Sequence, residues 1–276
     1  MPRVGRIGRR NARYQQWQAL LANRTARHRA GEFLVHGVRP ITRLLASAVT
    51  CRVLIRPEQV EPSAWARESW EGAPDGVERI EMPADMVADL ADRTGEDAAP
   101  ELVAIAGIPA DDLDRLADPC PLIAVLDRPT QPGNIGTLQR SLDAFGGTGL
   151  IVAGHAADPY DPKAVRASTG SAFAVPTVRA RSAADVLTWV ERQRADGLAL
   201  QVWGTDEGGT SDLGGVPLEG PTILVIGNET RGMSRAWREG CDGVISLPMV
   251  GTASSLNAAV AGSIVLHQAL VRRLSR

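Results

Sequence analysis

With 276 residues, 44% of them hydrophobic, the chain can build two ordinary domains, which excludes global disorder. Aromatic residues make up only 4%, so aliphatic side chains must fill the cores. The net charge of −2 hides an asymmetry: positions 1–31 carry eight arginines and no acid, whereas positions 58–118 are acidic, a pattern suited to local contact with a polyanion.

Cys51, Cys120 and Cys241 stand far apart and form no CxxC pair, so a reduced, cytoplasmic chain is expected rather than a disulfide framework. The N-terminus lacks the apolar core of a signal peptide. The apolar runs elsewhere are strand-sized, so no membrane contact is expected.

Along the chain, residues 1–30 read as a basic arm. Tyr14 and Trp17 interleave with Arg10 and Arg13. They could stack on nucleobases, or pack an amphipathic helix against the body. Residues 31–110 read as a smaller α/β domain. Strands are expected at 33–35, 52–55 and 101–105, with helices at 38–48, 64–70 and Ala84–Leu90. The Pro-bounded polar stretch 111–119 reads as a linker. From 120 to 276 the rhythm is clearer. Strands are expected at 122–126, Gly149–Ala153, 174–178, 198–203, Thr222–Ile226 and 244–247. Helices are expected at 135–145, 161–171, from Ser182 to about 195, and at 255–273. Alternating strands and helices predict a mainly parallel sheet covered on both faces, with ligands bound beyond the carboxyl ends of its strands.

Three strand-end loops carry the polar residues that such a site needs. The first runs from Asp127 to Ser141 and holds Asn134 and Arg140. Asn134 reads either as a helix cap or as a ligand-facing amide. Arg140, followed by Ser141, reads either as a solvated charge or as a phosphate contact. The second, Gly227-Asn-Glu229-Thr-Arg-Gly232-Met-Ser234, follows an apolar strand. Its glycine permits close approach by a ligand, and Glu229 can accept from one or complement a helix N-terminus. The third runs from Pro248 to Asn257, where a helix start offers backbone N–H groups. Asn257 falls in the first turn of that helix, as a ligand-facing amide or as part of a capped turn.

Several chemistries find no motif. No G-x-G-x-x-G, GxxxxGK[ST] or G-x-S-x-G is present, and the histidines at 28, 36, 155 and 267 lack metal-ligand spacing, so no metal is expected.

The ordered set Asn134-x-Gly136-x-x-x-Arg140-Ser141, Gly227-Asn-Glu229-x-x-Gly232-Met-Ser234, and Pro248-Met with Ser255-Leu-Asn257 closely resembles the three motifs of the SpoU/TrmH family in the SPOUT superfamily of RNA methyltransferases. Gly31-Glu-Phe-Leu-Val-His-Gly37 resembles the start of that family's L30e-like substrate domain, with His36 where members often have Glu. The resemblance implies an α/β fold: a C-terminal parallel-sheet SPOUT domain with a deep trefoil knot, and a smaller N-terminal L30e-like domain. It implies a homodimer, S-adenosylmethionine as cofactor, and methyl transfer to a ribose 2′-hydroxyl, with a uridine of 23S rRNA the expected target. A tRNA target and a non-catalytic ribosome-assembly factor are the alternatives. The implied cofactor contacts are the main chain at Gly227, Leu247 and Leu256, an apolar slot at Ile226 and Met249, and Gly204 and Thr205 beside the adenosine. Arg140, Asn134, Glu229 and Asn257 are the implied catalytic set. Arg10, Arg13, Arg24, Arg27, Arg39 and Ser141 are the expected RNA contacts.

Overall fold

The computed structural model describes residues 4–92, 99–252 and 255–275. They divide into two compact units, the first of residues 1–109 and 160–174, the second of residues 110–159 and 175–276.

The first unit opens with β1 (Val4–Arg6), α1 (Ala12–Ala22) and α2 (Arg24–Ala30). Asn11 and Asn23 start the two helices, each accepting a backbone N–H at 3.0 Å, and Gly31, at φ 62°, ends the second. Residues 4–30 are therefore not the separate arm that their charge suggested. Ile7, Tyr14, Trp17 and Leu20 are buried in one core with Ile80, Met82 and Met86, so burial of a helix face outweighs arginine repulsion. The unit continues with β2 (Glu32–His36), α3 (Val38–Leu45), β3 (Cys51–Pro57), α4 (Ala64–Glu71), β4 (Glu78–Met82), α5 (Ala84–Leu90) and β5 (Val103–Gly107). The sheet order is β1-β4-β3-β5-β2, with β5 antiparallel to both neighbours. β4 was not anticipated: only Ile80 and Met82 of its five residues are apolar, and a charged Arg79 reads as solvated. Arg79 is nevertheless 4% exposed and donates to the carbonyls of Trp70 (2.7 Å) and Ala73 (3.0 Å), acceptors left over where α4 ends.

The second unit begins with a 3-10 turn at Leu113–Leu116, followed by β6 (Leu122–Asp127), α6 (Pro132–Ala144) and β7 (Gly149–Ala153). The stretch expected as a linker is packed on this unit. Leu116 is buried in its core, Asp111 accepts from Arg179, and Arg115 donates to the Thr177 carbonyl. α6 starts earlier than predicted because Pro132 suits a first helical position.

After β7 the chain supplies a piece of the first unit, α7 (Pro162–Ser168) and a 3-10 turn at Ser171–Phe173. Tyr160 and Phe173 set their rings 4.9 and 6.2 Å from that of Phe33 on β2. The helix stops at Ser168, short of the predicted 171, because Thr169 and Gly170 take positive φ (52° and 100°). The strand expected at 174–178 consequently starts later.

The second unit resumes with β8 (Thr177–Ala180), α8 (Ala183–Ala195), β9 (Gln201–Thr205), β10 (Ser211–Asp212), β11 (Thr222–Ile226), α9 (Arg235–Gly240), β12 (Gly243–Ser246) and α10 (Ala258–Leu274). The sheet order is β10-β12-β9-β11-β6-β7-β8, and every pair is parallel. Ile226 lies level with Leu126 and Thr205, and Ile245 with Thr205. The carboxyl ends of β6, β9, β11 and β12 therefore gather at one edge, where parallel α/β sheets bind ligands. No helix among the described residues is long and apolar enough to cross a membrane.

Candidate functional site

The loop after β11 doubles back on itself. Asn228 and Gly232 form an antiparallel bridge, with N–H···O bonds of 3.1 and 2.9 Å. A Cβ on Gly227 would lie 2.5 Å from the Met233 nitrogen, so the chain's own return excludes a side chain there. The Asn228 carboxamide oxygen accepts from the N–H groups of Thr230 (3.0 Å) and Arg231 (3.1 Å), while its NH₂ donates to the Arg128 carbonyl (2.7 Å).

The loop is clamped from β6. Asp127, 3% exposed, accepts from the Ser234 N–H (2.7 Å) and from the guanidinium of Arg128, which reaches on to the Gly232 carbonyl (3.2 Å). Arg128 holds a left-handed backbone, at φ 54°, to do so. Asp127, Arg128 and Asn228 were missed from sequence. A carboxylate ending an apolar strand was the available signal.

A hydrogen-bond relay ties the three motif loops together. The Asn257 NH₂ donates to the Asn134 oxygen (2.9 Å), and the Asn134 NH₂ donates to Glu229 Oε1 (2.8 Å). Thr130 donates its hydroxyl to Glu229 Oε2 (3.1 Å). Asn257 is not in the first turn of α10 but is its N-cap, with its oxygen accepting from Ala259 (2.9 Å) and Val260 (3.2 Å). Asn134 does not cap α6, which begins after Gln131. Burial alone would raise the Glu229 pKa. Its own backbone N–H, Asn134 and Thr130 outweigh that and hold the carboxyl below its ordinary value.

Between these loops and α10 lies a cleft of about 380 Å³, a volume suited to a small ligand. Thr205, Ile226, Gly227, Leu247, Met249 and Leu256 line it, together with Glu229, Asp206 and Arg238. Asp206 is held by Arg238 at 2.8 Å. Gly204 is not among the lining residues. It is buried, and a Cβ there would lie 2.7 Å from the Met233 sulfur, so the strand turns this position toward the core and Thr205 toward the cleft. Apolar walls beside main-chain donors and carboxylates fit a flat heterocycle carrying a cationic centre. Arg140 lies six residues after Asn134 on the exposed side of α6 and makes no hydrogen bond or ion pair among the described residues.

The expected RNA contacts separate into two groups. Arg27 is corrected: it is 2% exposed and donates to the carbonyls of Leu20 (2.7 Å) and Leu21 (3.2 Å) and to Asp161 (3.3 Å), closing the end of α1. Tyr14 and Trp17, 0% and 4% exposed, are core residues and cannot stack on bases. Arg10 pairs with Asp85 (3.1 Å) and Asp89 (2.7 Å), and Arg13 with Glu78, so both charges are neutralised in place. Ser141 sits 2.6 Å from the Ser263 hydroxyl, joining α6 to α10. Arg24, beside His28, and Arg39 are exposed.

The SpoU rRNA Methylase family matches residues 121–267, and the SpoU L30e-like domain matches residues 11–104. The chain is 51% identical over 275 residues to the 23S rRNA (uridine(2479)-2′-O)-methyltransferase of Streptomyces viridochromogenes, covering 99% of this chain and 94% of that one. The solved SpoU methyltransferase AviRb of the same organism, in complex with the cofactor AdoMet, superposes with a TM-score of 0.90 at 51% identity, covering 96% of this chain and 99% of that chain. An AdoMet-bound rRNA methyltransferase from Sinorhizobium meliloti gives a TM-score of 0.81 at 28% identity, covering 96% and 97%.

Proposed function

The chain belongs to the SpoU rRNA methylase family and is an S-adenosylmethionine-dependent RNA ribose 2′-O-methyltransferase, and from that premise we propose that its acceptor is a uridine of 23S rRNA. The observation that carries the choice of target is the likeness to the Streptomyces viridochromogenes enzyme over nearly the whole of both chains. The action is accordingly cytoplasmic, where rRNA is made, and its purpose is ribosome maturation or resistance to a ribosome-targeting antibiotic.

The cofactor, when bound, supplies a methyl group on a sulfonium leaving group, so the protein's part is positioning and charge management. The main chain at Gly227, Leu247 and Leu256 would hold it, with Ile226, Met249 and Thr205 as the walls of the cleft they line. Asn134, Glu229 and Asn257 fix the loops around the reacting atoms through their relay. On accepting the methyl group the 2′-hydroxyl would release its proton to water. A guanidinium rarely gives up its own proton, so Arg140 acts as a cation that binds the flanking phosphate and stabilises the developing alkoxide. Its exposure, with no partner among the described residues, supports that role.

The same reading carries the family's trefoil knot in the C-terminal unit and a homodimer formed through α10. The first unit serves RNA binding and the second catalysis.

The test is incubation of the protein with labelled S-adenosylmethionine and unmodified 23S rRNA, followed by mapping of reverse-transcription stops at low dNTP. A single uridine stop is expected. Arg140→Ala should lose transfer by at least about a hundredfold while keeping cofactor affinity. Full methylation by that variant would overturn its role, and a stop only in tRNA would overturn the target.

A further inference from the structure

We propose that α2, α3 and α7 form the first unit's phosphate-gripping surface for RNA, centred on Arg39, Arg43, Lys163 and Arg166. The inference rests on the RNA methyltransferase reading and assigns where its substrate backbone is held.

The arginines of the first unit differ in their partners: Arg27 and Arg79 are buried against carbonyl oxygens. Arg6, Arg10, Arg13, Arg52, Arg56 and Arg67 each pair with a carboxylate. Arg39 and Arg43 on α3, and Lys163 and Arg166 on α7, are exposed and make no side-chain hydrogen bond or ion pair among the described residues. Lys163 is the only lysine in the chain.

These four cations are gathered on adjoining helices. Arg39 and Arg43 stand four residues apart on one face of α3, whose other face buries Pro40, Ile41 and Leu44. Lys163 and Arg166 stand three apart on α7, over buried Ala164 and Val165. The turn after α7 abuts α3: a Cβ on Gly170 would lie 3.2 Å from the Arg39 carbonyl oxygen and 3.1 Å from Arg43 Cγ. At its other end α7 meets α2, where Asp161 takes the buried Arg27. The three helices are thus contiguous.

No carboxylate among the described residues relieves this charge. Neither α2, α3 nor residues 162–174 contain an acid, and Asp161 is already committed to Arg27 and to the Lys163 N–H. Like charges at helical spacing destabilise a helix, so a surface that keeps them unpaired is complementary to an anion that comes from outside. A row of cations with no concave pocket suits a chain of phosphates, and Arg forks with one Lys are the side chains that bind them. Half of the grip thus comes from a first-unit segment that lies between β7 and β8 in sequence.

The experiment compares Arg39→Gln/Arg43→Gln and Lys163→Gln/Arg166→Gln with the control Arg10→Gln/Arg13→Gln, each checked for folding by circular dichroism. The probe is an unmodified 23S rRNA transcript, titrated at roughly 50 to 200 mM salt. Each α3 or α7 double variant should bind about tenfold more weakly and flatten the log K against log salt slope by about 1 to 2, whereas the control keeps the wild-type slope. In methyl transfer, KM for RNA should rise while kcat at saturating RNA and cofactor affinity stay unchanged. Folded α3 and α7 variants that keep the wild-type slope overturn the surface, as does a control that loses as much. A wild-type protein that shows the salt-dependent binding and the variant losses yet transfers no methyl group supports the surface and overturns the enzymatic reading instead.

Discussion

Glu229 is pulled two ways at the end of β11. Partial burial opposes its charge, while its own N–H, Asn134 and Thr130 all donate to it, and the donors win. Its folded pKa therefore lies below the ordinary value of 4.5. A carboxylate depressed in this way contributes its ordering above the unfolded pKa, and that contribution is lost only as pH falls through the lower, folded one. Cofactor binding measured calorimetrically against pH should accordingly show no loss from Glu229 down to about its ordinary pKa, with a decline beneath it. Glu229→Gln should weaken binding by about tenfold at neutral pH, because the relay through Asn134 loses its charged acceptor, and should remove the acid decline. A midpoint above 4.5 that disappears in Glu229→Gln would refute the donor-held carboxylate. The residues of this relay were legible in the sequence because each sits at a fixed distance from a glycine or a strand end. The Asp127–Arg128 clamp was not, since its partners Gly232 and Ser234 lie about a hundred residues downstream. The role of Arg27 was misread for a related reason. A charge count treats every arginine as solvated, whereas this one closes a helix end with its guanidinium buried.

Elements with a clean local signal were read well. Ser182 caps α8, and its hydroxyl accepts from Asp185 at 3.2 Å. β7 and β11 have the predicted bounds because they are unbroken apolar runs between turn residues. Elements whose signal is set by a distant partner were misread. β4 hides behind a buried arginine. Residues 160–174 look like another turn of the β-α-β rhythm, yet Tyr160, Val165 and Phe173 are buried in the first unit's core with Phe33 and Val35. Deleting the ring of Phe173, which is 8% exposed, should therefore damage the first unit rather than the sheet that flanks it in sequence. Phe173→Ala should cost about 3 kcal/mol, read from the urea midpoint. Hydrogen exchange should show protection falling in β2 and α3 while β7 keeps its own. Loss confined to β7 and β8 would show that the segment belongs to the second unit's folding.

At the scale of the molecule, alternation of strands and helices revealed a parallel sheet, but not the order in which its strands lie. That order depends on long crossovers, and periodicity carries no information about them. The two faces of α10 pose the remaining question. One face buries Ala259, Gly262, Val265, Leu266 and Ala269, and Gly262 lets α10 approach so closely that a Cβ there would lie 2.8 Å from Leu138. The other face leaves Val260, Ile264 and Val271 each more than 40% exposed, with Leu274 at 76%. These recur at spacings of four, seven and three, which is a single helical stripe. A helix that adds an exposed apolar stripe to its buried face favours cover for that stripe, and a second copy offers the same stripe in a self-complementary, two-fold arrangement. The chain should therefore be a dimer at micromolar concentration by size exclusion with light scattering. Ile264→Glu should shift it to monomer without unfolding it, because the substituted position faces solvent in the isolated chain. A wild-type protein that runs as a monomer, or an Ile264→Glu variant that stays dimeric, would place the partner surface elsewhere.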